Sequence, residues 1–385
     1  MGNKHQAAPV EKGPGRLSLT ARWLSQTSVG ITVLSLLLSL LVLILLVAAF
    51  GSDPGQVLKA LIKGSFRGSA SLISMLEEMA VLMICGLAIL IPIKGGYFNI
   101  AIQGQLEIGA FCGCLVAIYC PGPAFLVIPL ALIAGALSGM AVGLIPLTLR
   151  VKRGASEVTT GLMLNFVCTY FVYAMIYGPF LKEGAFFATT ESIPKANLLP
   201  DLFGPHIGFY LALILCLLAH VLTTKTTYGS RLFATGYNRR AAQAAGINVK
   251  TIMNSGVMLG AGLAGLAGII EIMGVLGAVS YGWMSNWGFT GVCIAFLGGN
   301  ALGVIPISFL LAIIGTGGRY MQSMTGVPVS LVGILTGMPV VIFLIFTAIK
   351  LTATSVDIRQ VWKKGSGEKP GGAAALPMEK EVDAQ

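Results

Sequence analysis

The sequence predicts an all-α fold: a polytopic bundle of about ten transmembrane helices (eight to ten), with both termini in the cytoplasm. Three observations predict it. Of 385 residues, 55% are hydrophobic and only 10% are charged, and mean hydropathy is +0.85. A soluble fold cannot cover its surface with so few charges, which excludes a soluble globular enzyme and a disordered chain. The apolar residues fall in stretches near the roughly 20 residues a helix needs to cross a bilayer. Finally, Lys and Arg are skewed to one side of those stretches. The 50 glycines follow no three-residue period, so collagen is excluded and close helix packing is their expected use.

The first stretch, Ile31 to Phe50, is twenty residues without a charge and follows Lys4, Lys12, Arg16 and Arg22. It is too long for a signal-peptide core and reads as a retained first helix, with residues 1–29 as a cytoplasmic segment before a transmembrane domain at 30–350. Spans are expected near 30–50, 79–93, 100–120, 124–149, 158–177, 206–223, 252–278, 288–302, 304–323 and 328–349. The second and eighth are short, so a tilted, broken or re-entrant segment is expected there. The tail, 351–385, is Gly-, Lys- and Glu-rich and is expected to be cytoplasmic and disordered.

With the N-terminus inside, nineteen Lys and Arg fall on the inner side and six on the outer: Lys59, Lys63, Arg67, Lys182, Lys195 and Arg319. This arrangement defines two polar segments, an external loop at 178–205 and a cytoplasmic loop at 224–251 that holds five basic residues and no acid. The net charge of +10 lies in short runs between spans, with no basic face interleaved with aromatics, so no nucleic-acid partner is expected. Small residues recur every fourth position at Gly135/Gly139/Gly143, at Gly256/Gly260/Ala264/Gly268 and at Gly333/Gly337, placing each set on one helix face where a neighbour can approach closely.

The chain has no Walker-type phosphate loop, no H-E-x-x-H and no G-x-S-x-G. Its seven cysteines lie in or beside apolar stretches, Cys112 and Cys114 are one residue apart, and the three histidines are scattered. No metal, cofactor or catalytic residue is expected.

Carboxylates and amides inside spans are costly, which makes each a candidate for function as well as for helix pairing. Glu107, Glu157 and Glu271 lie in spans; Glu77 and Glu78 sit at an outer edge, and Arg319 near an outer end. Asn99 and Gln103 are four apart on one face just after Phe98, and Asn165 is midway along the fifth span. Amides both donate and accept, so they can read a neutral polar ligand or bond one helix to another. In the inner loop, Asn238 is placed to cap a short helix, Arg239 to Ala245, with Gly246 after its end. That helix suits a docking peg for another protein; a basic loop lying on anionic membrane lipid is the alternative.

Several segments resemble the permeases of ATP-binding-cassette importers of the branched-chain amino acid, ribose and nucleoside group. Gly229, Ala234, Gly236, Asn238, Ala241, Ala242, Gly246 and Ile247 fit that group's coupling loop, G-x-x-x-x-A-x-G-x-N-x-x-A-A-x-x-x-G-I. Phe98-Asn99-Ile100 through Gln105 resembles its F-N-I-G-x-E-G-Q, with Ala101 in place of Gly and Gln103 in place of Glu. Ser156-Glu157-Val158 through Met163-Leu164-Asn165 resembles the N-E-V…M-L-N of the nucleoside branch, and the Gly262–Gly268 and Gly288–Gly299 stretches resemble later segments.

The resemblance implies a multi-pass subunit of a bacterial plasma membrane that forms, with a second permease subunit, a pathway for nucleosides or related simple sugars. It implies a cytoplasmic ATPase docked on Gly229, Gly236, Asn238, Ala242 and Gly246, an external binding lipoprotein or protein that Trp283 and Trp287 could touch, and substrate contacts at Phe98, Asn99, Gln103, Asn165 and Glu271. The chain itself is then not an enzyme. A stand-alone transporter coupled to protons through Glu271 or Glu107 is the alternative that the residues leave open.

Overall fold

The structure is a computed structural model that describes residues 28–49, 53–283 and 286–325 and nine positions between 333 and 346. Its helices are α1 (Ser28–Ala49), α2 (Pro54–Ser65), α3 (Ser69–Lys94), α4 (Ile102–Tyr119), α5 (Ala124–Arg153), α6 (Glu157–Tyr177), α7 (Ile207–Lys225), α8 (Thr227–Tyr237), α9 (Arg239–Ala244), α10 (Val249–Glu271), α11 (Trp287–Gly298) and α12 (Ala301–Thr325). Among the described residues, the only β pairing is two isolated bridges. Among the described residues, seven helices are long and apolar enough to cross a membrane: α3 to α7, α10 with its extension to Leu276, and α12. The chain is thus a multi-pass membrane protein. The expected span at 328–349 lies mostly outside the described residues, as do 1–27 and the tail.

Two expectations are corrected. The second span, read as a short segment beginning at 79, is a 26-residue helix that starts at Ser69. Glu77 and Glu78 made its first turns look too polar to span. In the fold, the Glu78 carboxylate is satisfied by Arg319 at 2.8 Å and by the Thr316 hydroxyl at 3.0 Å, so the helix continues through them. The 224–251 segment, in which only the short helix at 239–245 is expected, carries that helix as α9 and a further one, α8. The eighth span is indeed short, at 12 residues.

Helix α2 falls between the expected spans. Asp53 caps it by accepting the Gly55 N–H at 2.8 Å, and Pro54 opens it. Its inner face (Val57, Ala60, Leu61) lies on α12, where the Ser65 hydroxyl donates to the Ile313 carbonyl at 2.7 Å. Helix α5 ends on Gly154, which takes a left-handed φ of 67°, with Arg150, Lys152 and Arg153 in its last turn where cations favour the helix dipole.

Helix α10 is central, packing on α3, α4 and α5. The small residues make this possible. A Cβ at Gly109 or Gly139 would strike the backbone of Gly265, one at Gly268 the Leu106 carbonyl, and one at Gly260 the Ala88 carbonyl. The Gly135/Gly139/Gly143 row meets Ala261, Gly265 and Ile269 of α10, while Gly260 and Gly268 face α3 and α4. Helix α10 therefore carries two close-packing rows rather than the one the four-residue spacing suggested.

After Glu271 the helix widens into a π turn, Ile272–Leu276, closed by Gly277 at φ 70°. The segment 178–205 is strapped along this π turn and the residues up to Tyr281. Thr190 N–H donates to the Val279 carbonyl at 2.9 Å, Ile193 to Gly277 at 2.8 Å and Leu199 to Met273 at 3.0 Å, while Tyr281 donates back to Ala188 at 2.8 Å. The Asn197 amide adds a bond to the Ala117 carbonyl at 2.9 Å.

Candidate coupling elbow and polar core

At the α7–α8 end, Gly229 lies so close to the end of α7 that a Cβ would strike the Leu222 and Thr223 carbonyls. Thr226 caps α8 by accepting the Gly229 N–H at 3.1 Å. Asn238 then ends α8 and caps α9, its side chain accepting the Ala241 N–H at 3.1 Å. Helix α9 closes through Gly246 at φ 79°, with its N–H on Gln243 and the Ile247 N–H on Ala242. Ala242 is the buried residue of α9, and Arg239 and Arg240 are exposed.

This elbow is fastened to the turn between α3 and α4. A Cβ at Gly236 would collide with the Lys94 carbonyl, and the Arg239 guanidinium donates to the Gly96 carbonyl at 2.7 Å. Leu232 is fully buried beside Gly95 and Gly256. A cavity of about 180 Å³ opens there, between Leu90, Lys94, Phe233 and Asn300. Lys94 is held at its edge by the Gly299 carbonyl at 2.9 Å.

Immediately beyond that turn lie the amides the sequence singled out, and the structure brings them together. Asn99 and Gln105 exchange two hydrogen bonds, at 2.9 and 3.1 Å. Asn165 accepts the Gly104 N–H and donates to the Ile100 carbonyl, both at 2.9 Å. Gln103 donates to Glu107 at 3.0 Å and accepts the Gly288 N–H at 3.0 Å, and the Thr169 hydroxyl donates to the other Glu107 oxygen at 2.7 Å. Asn99, Gln103, Glu107 and Asn165 are all buried. In this conformation they tie α4 to α6 and α11 and turn no amide to a solute. Phe98 stands apart from this polar set, edge-on to Phe296 with centroids 5.9 Å apart.

Glu271 does not join them. It is buried, with one carboxylate oxygen lacking a hydrogen-bond partner, and lies within electrostatic reach of Glu78, Glu77 and Arg319. Arg319 points at Glu78. Glu157 pairs with Arg150 at 3.0 Å across the α5–α6 turn. Trp283 and Trp287 stand 6.2 Å apart and both pack partly on the core.

Sequence reasoning missed two features. One is Thr169, whose bond to Glu107 depends on two helices meeting. The other is a tyrosine group at the far end, Tyr170, Tyr173 and Tyr177 of α6 with Tyr281. The spacing of the first three was visible in the sequence, but Tyr281 is about a hundred residues away and meets them only in the folded chain.

The family model described as "Branched-chain amino acid transport system / permease component" matches residues 71–344. The glucose ABC transporter permease protein of Haloferax volcanii is 32% identical over 82% of this chain and 87% of its own length. The nucleoside ABC transporter permease protein of Lactococcus lactis subsp. cremoris is 30% identical over 76% of this chain and 84% of its own. For the guanosine ABC transporter permease protein of Bacillus subtilis the figures are 30%, 80% and 88%. No solved structure matches the chain.

Proposed function

The chain belongs to the family of branched-chain amino acid transport system permease components, and from that premise we propose that it is the membrane subunit of an ATP-driven importer for nucleosides, with simple sugars the next class. The relatives named for nucleosides, guanosine and glucose support that substrate range. Two permease subunits, this chain twice or with a sister, enclose the pathway. A cytoplasmic ATPase docks on the α8–α9 elbow, and an external binding protein delivers the solute. We place both termini in the cytoplasm, with about ten spans (eight to ten), in the plasma membrane of a bacterium, on the Lys and Arg distribution.

The observation that carries the proposal is the elbow. A six-residue helix with a side-chain cap at one end and a left-handed glycine at the other is a rigid peg. Its root is packed against the α3–α4 turn, three residues from the Asn99–Gln105 pair. Force applied to the peg is delivered to the helices that hold the polar core. An ATPase can bias the bundle between two openings only if it binds the two states with different free energies, and a peg fastened to the α3–α4 turn gives it a lever on the bundle.

In the same reading Phe98, Asn99, Gln103, Asn165 and Glu271 shape the wall of the pathway. The exchanged amide bonds are of the kind that can open and re-pair as helices shift. Solubilising native membranes and isolating this chain tests the proposal: an ATPase and a binding protein should co-purify, and the complex in vesicles should accumulate labelled uridine with ATP. Accumulation by the isolated chain, driven by a proton gradient alone, would instead establish the coupled transporter built on Glu271 or Glu107.

A further inference from the structure

We propose that Tyr170, Tyr173, Tyr177 and Tyr281 form the surface on which the base of a neutral nucleoside is held during passage; this rests on the permease reading above. The rings are contiguous. Tyr281 lies 4.5 Å from Tyr173 and 5.6 Å from Tyr177, and Tyr170 meets Tyr173 at 6.4 Å and nearly at right angles. Tyr173 and Tyr281 are tilted by 45° and the other two pairs are edge-on, and Tyr170, Tyr177 and Tyr281 are 68%, 56% and 55% exposed.

An aromatic belt accounts for Tyr177, the last residue of α6, but not for Tyr170. Belts sit at the membrane boundary, whereas Tyr170 is seven residues inside the end of α6, about 10 Å deeper at roughly 1.5 Å per residue. A face that met only lipid chains would gain nothing from hydroxyls at that depth, because hydrocarbon offers them no partner.

The surface is also held in shape from behind. Thr169, one turn before Tyr173, is bonded to the buried Glu107, which Gln103 links to the first turn of α11. Tyr281 is fixed through its N–H to Ala188, beside the 3.1 Å contact between the Thr189 and Ser280 hydroxyls. A ligand site assembled before binding loses little free energy to ordering when the ligand arrives.

The chemistry selects the occupant. Between Glu157, which is paired with Arg150, and Tyr177, helix α6 carries no charge. The surface therefore suits a neutral solute. An exposed tyrosine face can stack on a flat heteroaromatic ring, and the hydroxyls can donate to or accept from its edge. The amides of Asn99, Gln103 and Asn165 are bonded to protein, whereas Tyr170, Tyr177 and Tyr281 remain exposed.

The test uses the native host, with variants replacing the chromosomal copy so that all partners are present. Uptake of labelled uridine and of labelled glucose is measured at sub-saturating concentration, with membrane abundance and native-gel assembly recorded alongside. Tyr170→Leu and Tyr281→Leu are expected to lower uridine uptake about tenfold, the loss of one good stacking contact. Tyr170→Phe and Tyr281→Phe should retain most of it, all with assembly intact. Unchanged uridine uptake in the leucine variants overturns the proposal. Loss of uptake together with loss of assembly also overturns it, assigning the face to a second copy of the chain. A wild type that imports glucose but not uridine overturns the nucleobase assignment while leaving the permease reading in place. A wild type that imports neither removes both.

Discussion

The guanidinium of Arg239 donates to the carbonyl oxygen of Gly96 at 2.7 Å, joining the first residue of α9 to the turn between α3 and α4. The bond spans 143 residues of sequence and connects the proposed docking peg to the hinge that leads to Asn99. Arg239→Ala should leave the protein in the membrane and reduce ATP-driven uptake, while Arg240→Ala, at the exposed neighbouring position, should not. An exposed, charge-assisted bond contributes about 1 kcal/mol, so the expected loss is on the order of fivefold. Uptake per mole of transporter, with ATPase rate recorded in parallel, checks it; equal losses in both variants would point to surface charge instead.

Gly236 and Gly246 should fail for different reasons. A valine at 236 has to displace the Lys94 carbonyl and separates α8 from α3, so uptake should be abolished with the chain still inserted. At Gly246 the space is open and only the φ of 79° resists a side chain. Gly246→Ala should cost about 1 kcal/mol and Gly246→Asn less, because asparagine tolerates the left-handed region. Protease sensitivity of the 238–247 segment, measured beside uptake, separates the two.

Arg319 holds Glu78 in a neighbourhood that also contains Glu77 and Glu271. Arg319→Ala should therefore destabilise the solubilised protein by about 1 to 3 kcal/mol, since it leaves a largely buried carboxylate beside two others. Adding Glu78→Gln should restore most of the loss. Thermal unfolding of the three variants reads the coupling, and simple additivity would show that the pair is incidental.

His206 lies outside the spanning segments and is fully buried at the start of α7, with Nδ1 accepting the Gly208 N–H at 3.1 Å and Nε2 against Gly274. Burial lowers its affinity for a proton below the ordinary value, and Asp201 opposes this only in part. The unfolded chain then binds the proton more readily. Stability from this group is present above about pH 6.5, the unperturbed value, and is lost as pH falls toward the lower folded value. Unfolding temperature should drop between about pH 7 and 5. His206→Asn, which keeps a good cap, should flatten that slope.

Much of this was legible in the sequence because the bilayer acts locally. A helix that crosses hydrocarbon must satisfy its own backbone and be apolar along its length, so seven of the crossing segments could be read from composition alone. The cap at Asn238 and the stop at Gly246 were legible for the same reason: capping involves residues within a few positions of one another. The second span was cut short at Glu78 because its neutralising partner, Arg319, is 241 residues away.

The sequence by itself determined that the protein is a helical membrane bundle with small residues for close packing, carries a short capped peg, and bears the marks of a permease family. Tertiary structure alone decided what the polar groups do. It paired Asn99 with Gln105, bonded Asn165 to the α4 backbone and fastened Glu107 to Thr169, turning candidate ligand contacts into ties between helices. It also gathered four tyrosines on one exposed face. The physical reason is that hydrophobicity and capping are properties of a segment, whereas the partner of a buried polar group is fixed by which helices touch.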